Sequence, residues 1–244
     1  MRLDQALVDR RLTDSRARAQ AAISAGQVRL NGVVVHKAST KVKSDDEIGL
    51  NGDILRWVSR AALKLDHALN EFDVDVSGLV ALDLGASTGG FSEVLLARGA
   101  QFVTAIDVGH GQLAERLRRH DRLRHIEGLN ARDIASVQIE PPDLIVSDMS
   151  FISLTKALPA ALDLAGTGAQ LVALVKPQFE LSRSELGKNG IVKDQALRQK
   201  ALRSVTVFLE GRRWRVLGVA DSPIFGGDGN AEFLVHARKD SGAG

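Results

Sequence analysis

Apolar residues recur at helical spacing at the start of the chain (Leu3, Ala6, Leu7) and again further on (Ala19, Ala22, Ile23), which predicts two short helices. Thr13, Asp14 and Ser15 offer an N-cap for the second, and Gly26 a stop. In "QVRLNGVVV" the pair Asn31-Gly32 separates two β-prone runs, and such a pair favours a tight hairpin because both turn positions need positive φ. "DDEIGL" then predicts another strand. From Leu79 the pattern changes. Short apolar runs (VALDL, FVTAIDV, RHI, DLIVSD, AQLVALVK) alternate with amphipathic stretches (FSEVLLARG, GQLAERLRR, FISLTKALPAALDLA), and a polar helix runs from about Asp194 to Glu210. RVLGVA and AEFLVHA, joined by "DSPIFGGDGN", read as a closing hairpin. This order predicts an α/β domain with a mostly parallel sheet and helices on both faces, preceded by a small α+β domain. The expected boundaries are 1–50, a linker over 51–60, and 61–244.

Composition changes this picture little, but charge changes it locally. The chain has 244 residues, 44% hydrophobic and 25% charged, enough for an ordinary folded core. It has no cysteine, which excludes disulfides, zinc-thiolate sites and thiol nucleophiles and suits a cytoplasmic location. No stretch has signal-peptide or membrane-spanning character. The net charge is only +2, yet basic residues crowd the first sixty positions, among them Arg2, Arg16, Arg18, Arg29 and Lys41. A local basic face favours an anionic partner such as RNA. The six histidines show no metal-binding spacing, so no metal is implied.

The candidate chemistry lies in "ALDLGASTGGFSEVLLARG". A phosphate-binding P-loop would need a lysine after its last glycine, and a dinucleotide site would need G-x-G-x-x-G; neither is present. What remains is an acid followed by a glycine turn: Asp83, expected to end the strand, then Gly85, Ala86, Ser87, Thr88 and Gly89. Asp107, at the end of the next strand, stands where an acid meets ribose hydroxyls. Two acids suit adenosine with a cationic tail, and S-adenosylmethionine is such a ligand. Asn130 and Asp133, after strand three, are candidates for the adenine. Phe151 is a candidate for the pocket or, opening a helix, for the core. Asp148 and Lys176 follow apolar strands and so belong to the C-terminal edge of the sheet, where open α/β folds bind ligands.

The first fifty residues, through "SRARAQAAISAGQVRLNGVVV", resemble the small RNA-binding domain shared by a small-subunit ribosomal protein and many RNA-modifying enzymes. "WVSRAALKL", "DLGASTGGFSEVLL", "AIDVGHGQL", "DLIVSDMSFISL", "LVKPQFE" and "GNAEFLV" follow in that order. With the N-terminal part they resemble the TlyA-type, hemolysin-named family of ribosomal RNA ribose methyltransferases. The resemblance implies a Rossmann-like, S-adenosylmethionine-dependent methyltransferase domain of FtsJ-like type. It also implies methylation of the 2′-hydroxyl of cytidine in ribosomal RNA. The family's Lys-Asp-Lys-Glu tetrad falls on Lys64, Asp148, Lys176 and Glu232. Lys176 is expected as base or alkoxide stabiliser, Asp148 as its orienting partner and cofactor contact, and Lys64 and Glu232 as positioning groups. In the family the linker around "RWVS" couples RNA docking to cofactor binding; here Leu55 stands where a basic residue is expected, with Arg56 beside it as the candidate substitute. Shorter termini go with the form acting on the large subunit, which is the favoured partner. The rival readings are a catalytically silent RNA-binding assembly factor and a hemolysin acting on membranes.

Overall fold

The computed structural model describes residues 1–10, 12, 13, 15–24, 26–50 and 57–241. Asp14, Leu55 and Arg56 therefore lie outside the described residues. The contacts divide the chain into two units, Met1–Ala62 and Leu63–Gly244.

In the first unit, α1 (Leu3–Asp9) and α2 (Arg16–Ser24) bury Leu3, Ala6, Leu7, Ala19, Ala22 and Ile23. Ser15 precedes α2, and its Oγ accepts from the Arg18 amide at 3.3 Å. The strands β1 (Val28–Leu30), β2 (Val33–Val34) and β3 (Ile48–Leu50) form an antiparallel sheet of order β2-β1-β3. Asn31 and Gly32 take φ of 51° and 81°, the geometry that lets Leu30 pair with Val33 across a two-residue turn.

Helix α3 (Ala61–Glu71), all but its first two residues in the second unit, is not included in the alternating pattern from Leu79 onward. The sheet of the second unit is built from β4 (Val80–Leu84), β5 (Phe102–Asp107), β6 (Leu123–Glu127), β7 (Leu144–Ser147), β8 (Gln170–Val175), β9 (Trp214–Asp221) and β10 (Phe233–Lys239). The order is β6-β5-β4-β7-β8-β10-β9, parallel from β6 to β8, with β10 antiparallel to both β8 and β9. The central strands β4 and β7 are buried at every position, as a sheet covered on both faces requires.

Between the strands lie α4 (Gly90–Ala97), α5 (Glu115–Arg118), α6 (Leu154–Ala157), α7 (Pro159–Leu164), α8 (Pro177–Glu180) and α9 (Gln195–Gly211). Two expected helices are shorter than their patterns. "GQLAERLRR" yields a single turn, α5, because Ala114, immediately ahead of it, takes an extended ψ of 137°. "FISLTKALPAALDLA" begins only at Leu154 and is cut at Pro159, which has no amide to continue α6 and instead starts α7. The polar helix is present: the Asp194 carboxylate caps α9 by accepting from the Ala196 amide at 2.7 Å, and Ala201, Leu202, Val205 and Leu209 form its buried stripe.

The chain runs outward from β4 through β5 to β6, then returns to β7 on the other side of β4. That reversal makes the β4/β7 border the topological switch point of the sheet, the place where such folds open a crevice.

Candidate active site

At the switch point the backbone is crowded. A side chain on Gly85 (φ 82°) would bring its Cβ to 3.1 Å from the Asp148 carbonyl oxygen, so glycine is the residue that lets the β4 turn pass the end of β7. Beside it opens a cavity of about 650 Å³ lined by Gly85, Ser87, Asp107, Asn130, Asp148 and Phe151, among others.

Asp107 closes β5, and its two oxygens accept from the Ser87 and Gly109 amides, each at 2.7 Å. These bonds fix the carboxylate plane against the cavity wall. The Asn130 side chain accepts from the Arg132 amide at 3.1 Å while lining the same cavity, whereas Asp133 is exposed and outside the lining. Phe151 does not belong to the core and opens no helix: it is 91% exposed, holds φ 66° and tilts against Phe179 at a ring distance of 5.4 Å.

Four of the residues expected around the cofactor are not in the lining. Ala86, Thr88 and Gly89 build the turn: the Gly89 amide bonds the Ala86 carbonyl at 2.7 Å, and the Thr88 carbonyl accepts from the Ala114 amide at 3.2 Å. Asp83 does not end its strand. It sits one residue inside β4, fully buried, accepts from Ser92 Oγ at 2.6 Å, and leaves Oδ1 without a partner. Burial with so little compensation pushes its carboxyl up to about 7, the neighbouring Asp148 adding to the rise and Ser92 opposing it.

The four residues of the expected tetrad come from four separate elements and converge as two ion pairs. Lys64, on α3, reaches Glu232 Oε2 at 2.5 Å, and both side chains are almost completely buried. Lys176, placed by the end of β8 and by Pro177 behind it, reaches Asp148 Oδ1 at 2.6 Å. That contact lies off the line of a hydrogen bond; the well-formed donor bond of Lys176 goes to Ser150 Oγ at 2.8 Å. Burial raises the carboxyl of Glu232, and the charges of Lys64 and Lys176 oppose the rise, so the two pairs share one electrostatic environment. Each lysine thus meets an acid in a place where its charge is poorly solvated, and an added negative charge would be strongly felt.

Ser150 is not among the residues the sequence singles out, nor are Gln112 and Met149 in the cavity wall. Ser150 stands inside "SDMSF", but nothing in that string announces that its hydroxyl faces a lysine 26 residues later.

The basic residues of the first unit do other work as well. Arg2 and Arg16 both bond the buried Asp4, at 2.9 and 3.0 Å, with Gln20 as a third donor at 2.8 Å. Arg18 donates to the Trp57 carbonyl and Arg29 to the Gly32 carbonyl, while Lys41 is exposed and its backbone bridges to Arg2. The side chains of Arg2 and Arg16 stay about half exposed while paired, at 42% and 57%. Among the described residues no helix is long and apolar enough to cross a membrane.

A parallel sheet closed by an antiparallel hairpin, with a glycine turn at its switch point and an acid at the end of the neighbouring strand, defines the class: a Rossmann-like methyltransferase domain, here carrying a small N-terminal domain. Comparison with known proteins makes this specific. Residues 57–239 match the FtsJ-like methyltransferase model and residues 1–48 the S4 domain. The chain is 44% identical over 239 residues to the 16S/23S rRNA (cytidine-2′-O)-methyltransferase TlyA of Mycobacterium tuberculosis, covering 97% of this chain and 89% of that one. It is 34% identical over 252 residues to the 23S rRNA (cytidine-2′-O)-methyltransferase TlyA of Campylobacter jejuni, covering 96% and 98%. A solved structure of a hemolysin-named protein from Streptococcus thermophilus superposes with a TM-score of 0.78 at 41% identity, covering 99% of this chain and 89% of that one. The chain belongs to the FtsJ-like methyltransferases, and within them to the TlyA family.

Proposed function

We propose that this protein methylates the 2′-hydroxyl of a cytidine in ribosomal RNA with S-adenosylmethionine, the large-subunit RNA being its substrate. The observation that carries the reading is the convergence of Lys176, Asp148, Lys64 and Glu232 at the C-terminal edge of the sheet, in two short ion pairs. The large subunit is favoured because its RNA is named for both curated relatives.

The residues suit the cofactor. Asp107, held by two amides, keeps further lone pairs for ribose hydroxyls, the narrow passage at Gly85 leaves backbone as the wall beside Asp148, and Asn130 offers an amide to the base. Asp83, with an unpaired buried oxygen under the turn and its carboxyl raised to about 7, is an acid that a nearby cationic amino-acid tail would draw into its charged form. When bound, S-adenosylmethionine supplies the electrophilic methyl group.

A ribose hydroxyl is a weak nucleophile at neutral pH and needs both alignment and relief of its proton. Lys176 receives the hydroxyl proton or holds the developing alkoxide by charge, Asp148 orients that amine, and Lys64 with Glu232 positions the ribose. The basic residues of the N-terminal unit bind RNA phosphates, a contact that locates the substrate without reading its sequence.

The test is methyl transfer to ribosomal RNA from cells lacking this gene. Lys176→Ala is expected to lose on the order of 10²-fold or more in rate, with cofactor affinity nearly kept. Lys176→Arg separates two roles, because arginine keeps the charge but does not deprotonate: an inactive variant assigns proton acceptance, a rescued one assigns charge stabilisation. A silent assembly factor would bind cofactor or RNA without transfer, and a membrane-acting hemolysin would bind neither; a folded, cofactor-saturated Lys176→Ala that works at the parent rate removes the proposed mechanism.

A further inference from the structure

The string "LVKPQFE" contains more than its lysine. After Lys176 the chain makes one turn of helix, α8, too short to hold itself by its own hydrogen bonds. Two of its four side chains reach in different directions to neighbouring loops. Gln178 Nε2 donates to Asp228 Oδ2 at 2.9 Å, and Gln178 is 9% exposed. Glu180 accepts from Ser153 Oγ at 2.6 Å and from the Leu154 amide at 2.8 Å.

Each of these loops carries one of the acids of the site. Asp228 begins a tight segment that leads to Glu232. Asp228 Oδ1 accepts from the Asn230 amide at 3.0 Å and Oδ2 from Asn230 Nδ2, also at 3.0 Å. Asn230, 1% exposed, in turn accepts from the Val192 amide at 2.8 Å. At the head of the same segment a Cβ on Gly226 would overlap Glu232 Oε1, so the backbone there closes directly on the carboxylate paired with Lys64. On the other side, Ser153 and Leu154 end the loop that contains Asp148 and Ser150, the two partners of Lys176. Glu180 is half-buried, and its carboxylate takes the place of a capping side chain on the Leu154 amide of a four-residue helix.

The geometry points to Gln178 and Glu180 as positioning residues for methyl transfer: through Asp228 and through Ser153 they lock the Glu232 loop and the Asp148 loop to the helix that begins at Lys176. This rests on the methyltransferase reading above. Neither residue belongs to the tetrad. The geometric tolerance of the site is narrow. Four side chains from four elements have to hold a reacting geometry within a fraction of an ångström, and a misplacement of about 1 Å costs up to 10²-fold in rate. A four-residue helix cannot supply that rigidity by its backbone, whereas three buried or half-buried hydrogen bonds to adjacent loops can.

The experiment is steady-state methyl transfer by the full chain, with active sites counted by S-adenosylmethionine titration. Gln178→Met keeps length and removes the donor; it is expected to lower kcat about tenfold or more while leaving the KM for cofactor within about twofold, the signature of an interaction lost only in the transition state. Asp228→Ala should do the same, and the double variant should be no slower than the worse single one, because both remove one link. Glu180→Gln, which keeps one acceptor, should recover most of the rate lost in Glu180→Leu. Parent-like kcat in Gln178→Met, additive losses in the double variant, or a loss confined to the cofactor KM would each overturn the assignment. Should Asp228→Ala fail to fold, Gln178→Met and the Glu180 pair still decide. Activity of the parent chain is the separating control: if the parent itself transfers no methyl group, the functional reading fails first, and if it does while these variants match it, only the present inference falls.

Discussion

Two aspartates in this molecule show no accessible surface, one shallow in a small domain and one deep in a sheet, and they hold their protons very differently. Asp4, in α1 of the N-terminal unit, and Asp83, in β4 of the catalytic unit, are both 0% exposed. Asp4 meets Arg2, Gln20 and Arg16, and those bonds drive its carboxyl far below the usual range. Asp83 meets one serine hydroxyl, and burial raises it to about 7. Depth of burial and the supply of donors together set the charge of such an acid: desolvation dominates at Asp83, hydrogen bonds from Arg2 and Gln20 at Asp4. The difference also fits the two units' tasks. A buried, charged Asp4 holds one edge of the guanidiniums of Arg2 and Arg16, whose side chains stay partly exposed. A buried acid poised near neutrality at Asp83 lies beneath a turn where a cationic ligand would favour its charged form.

The same substitution at the two positions sharpens this contrast most. Asp4→Asn removes the charge around which Arg2, Arg16 and Gln20 are arranged, leaving two guanidiniums without their shared partner. The expected outcome is a separate, lower melting transition for the N-terminal unit at neutral pH and a large loss of RNA affinity, read by calorimetry and by filter binding. In the parent, this contribution is present above the unfolded carboxylate range and disappears as pH falls through the lowered folded value. A variant as stable as the parent at pH 7 would mean that the charge of Asp4 does nothing for the fold.

Much of this arrangement is legible in the sequence, and the limits are physical. The hairpin at Asn31-Gly32 is readable because its turn requires positive φ at both residues, a demand that few residue pairs meet. The alternation of β4, β5, β7 and β8 with helices is readable because fully buried strands are continuous apolar runs. The same property hides Asp83: in a strand buried at every position, no alternation tells which residue is last, so an acid in "VALDL" looks like an end when it lies inside. Helix α8 is too short to show a period, and the break at Pro159 is masked by an apolar pattern that continues across it. Of the tetrad, the residue types and positions are visible in the motifs, but the pairing of Lys64 with Glu232 across 168 positions and of Lys176 with Ser150 across 26 is set by the sheet order, which single-residue patterns do not contain.

The effect at Asp83 is smaller and opposite in sign. Its folded value lies above the unfolded 3.8, so the neutral acid stabilises the fold fully below that unfolded value, and the contribution is lost as pH rises through about 7. Asp83→Asn is a permanently neutral mimic that keeps an acceptor for Ser92. Relative to the parent it is expected to gain roughly 2.5 kcal/mol of stability between pH 5 and pH 8, because a proton held only by the folded chain changes stability by about 1.4 kcal/mol for each tenfold fall in proton concentration. Denaturant unfolding at the two pH values measures this directly; an equal difference at both would show that Asp83 keeps its charge throughout and that the contrast with Asp4 is not one of protonation.

The smallest expected effect concerns the arginines that Asp4 holds. Arg16 bonds Asp4 with one nitrogen while its side chain is 57% exposed, so the remaining donors stay open to a phosphate. Arg16→Gln should leave Arg2 and Gln20 on Asp4, keep the fold, and weaken RNA binding uniformly across sequences, lowering the slope of log affinity against log salt by about 1, the counterion released at a single phosphate contact. Because the pair is partly exposed and screened, little of the change should appear in thermal stability. The two readouts separate the two jobs of the residue: a melting point that falls with an unchanged salt slope would make Arg16 a brace for Asp4 alone, whereas a lower slope at an unchanged melting point makes the buried aspartate a mount that aims a phosphate-binding arginine.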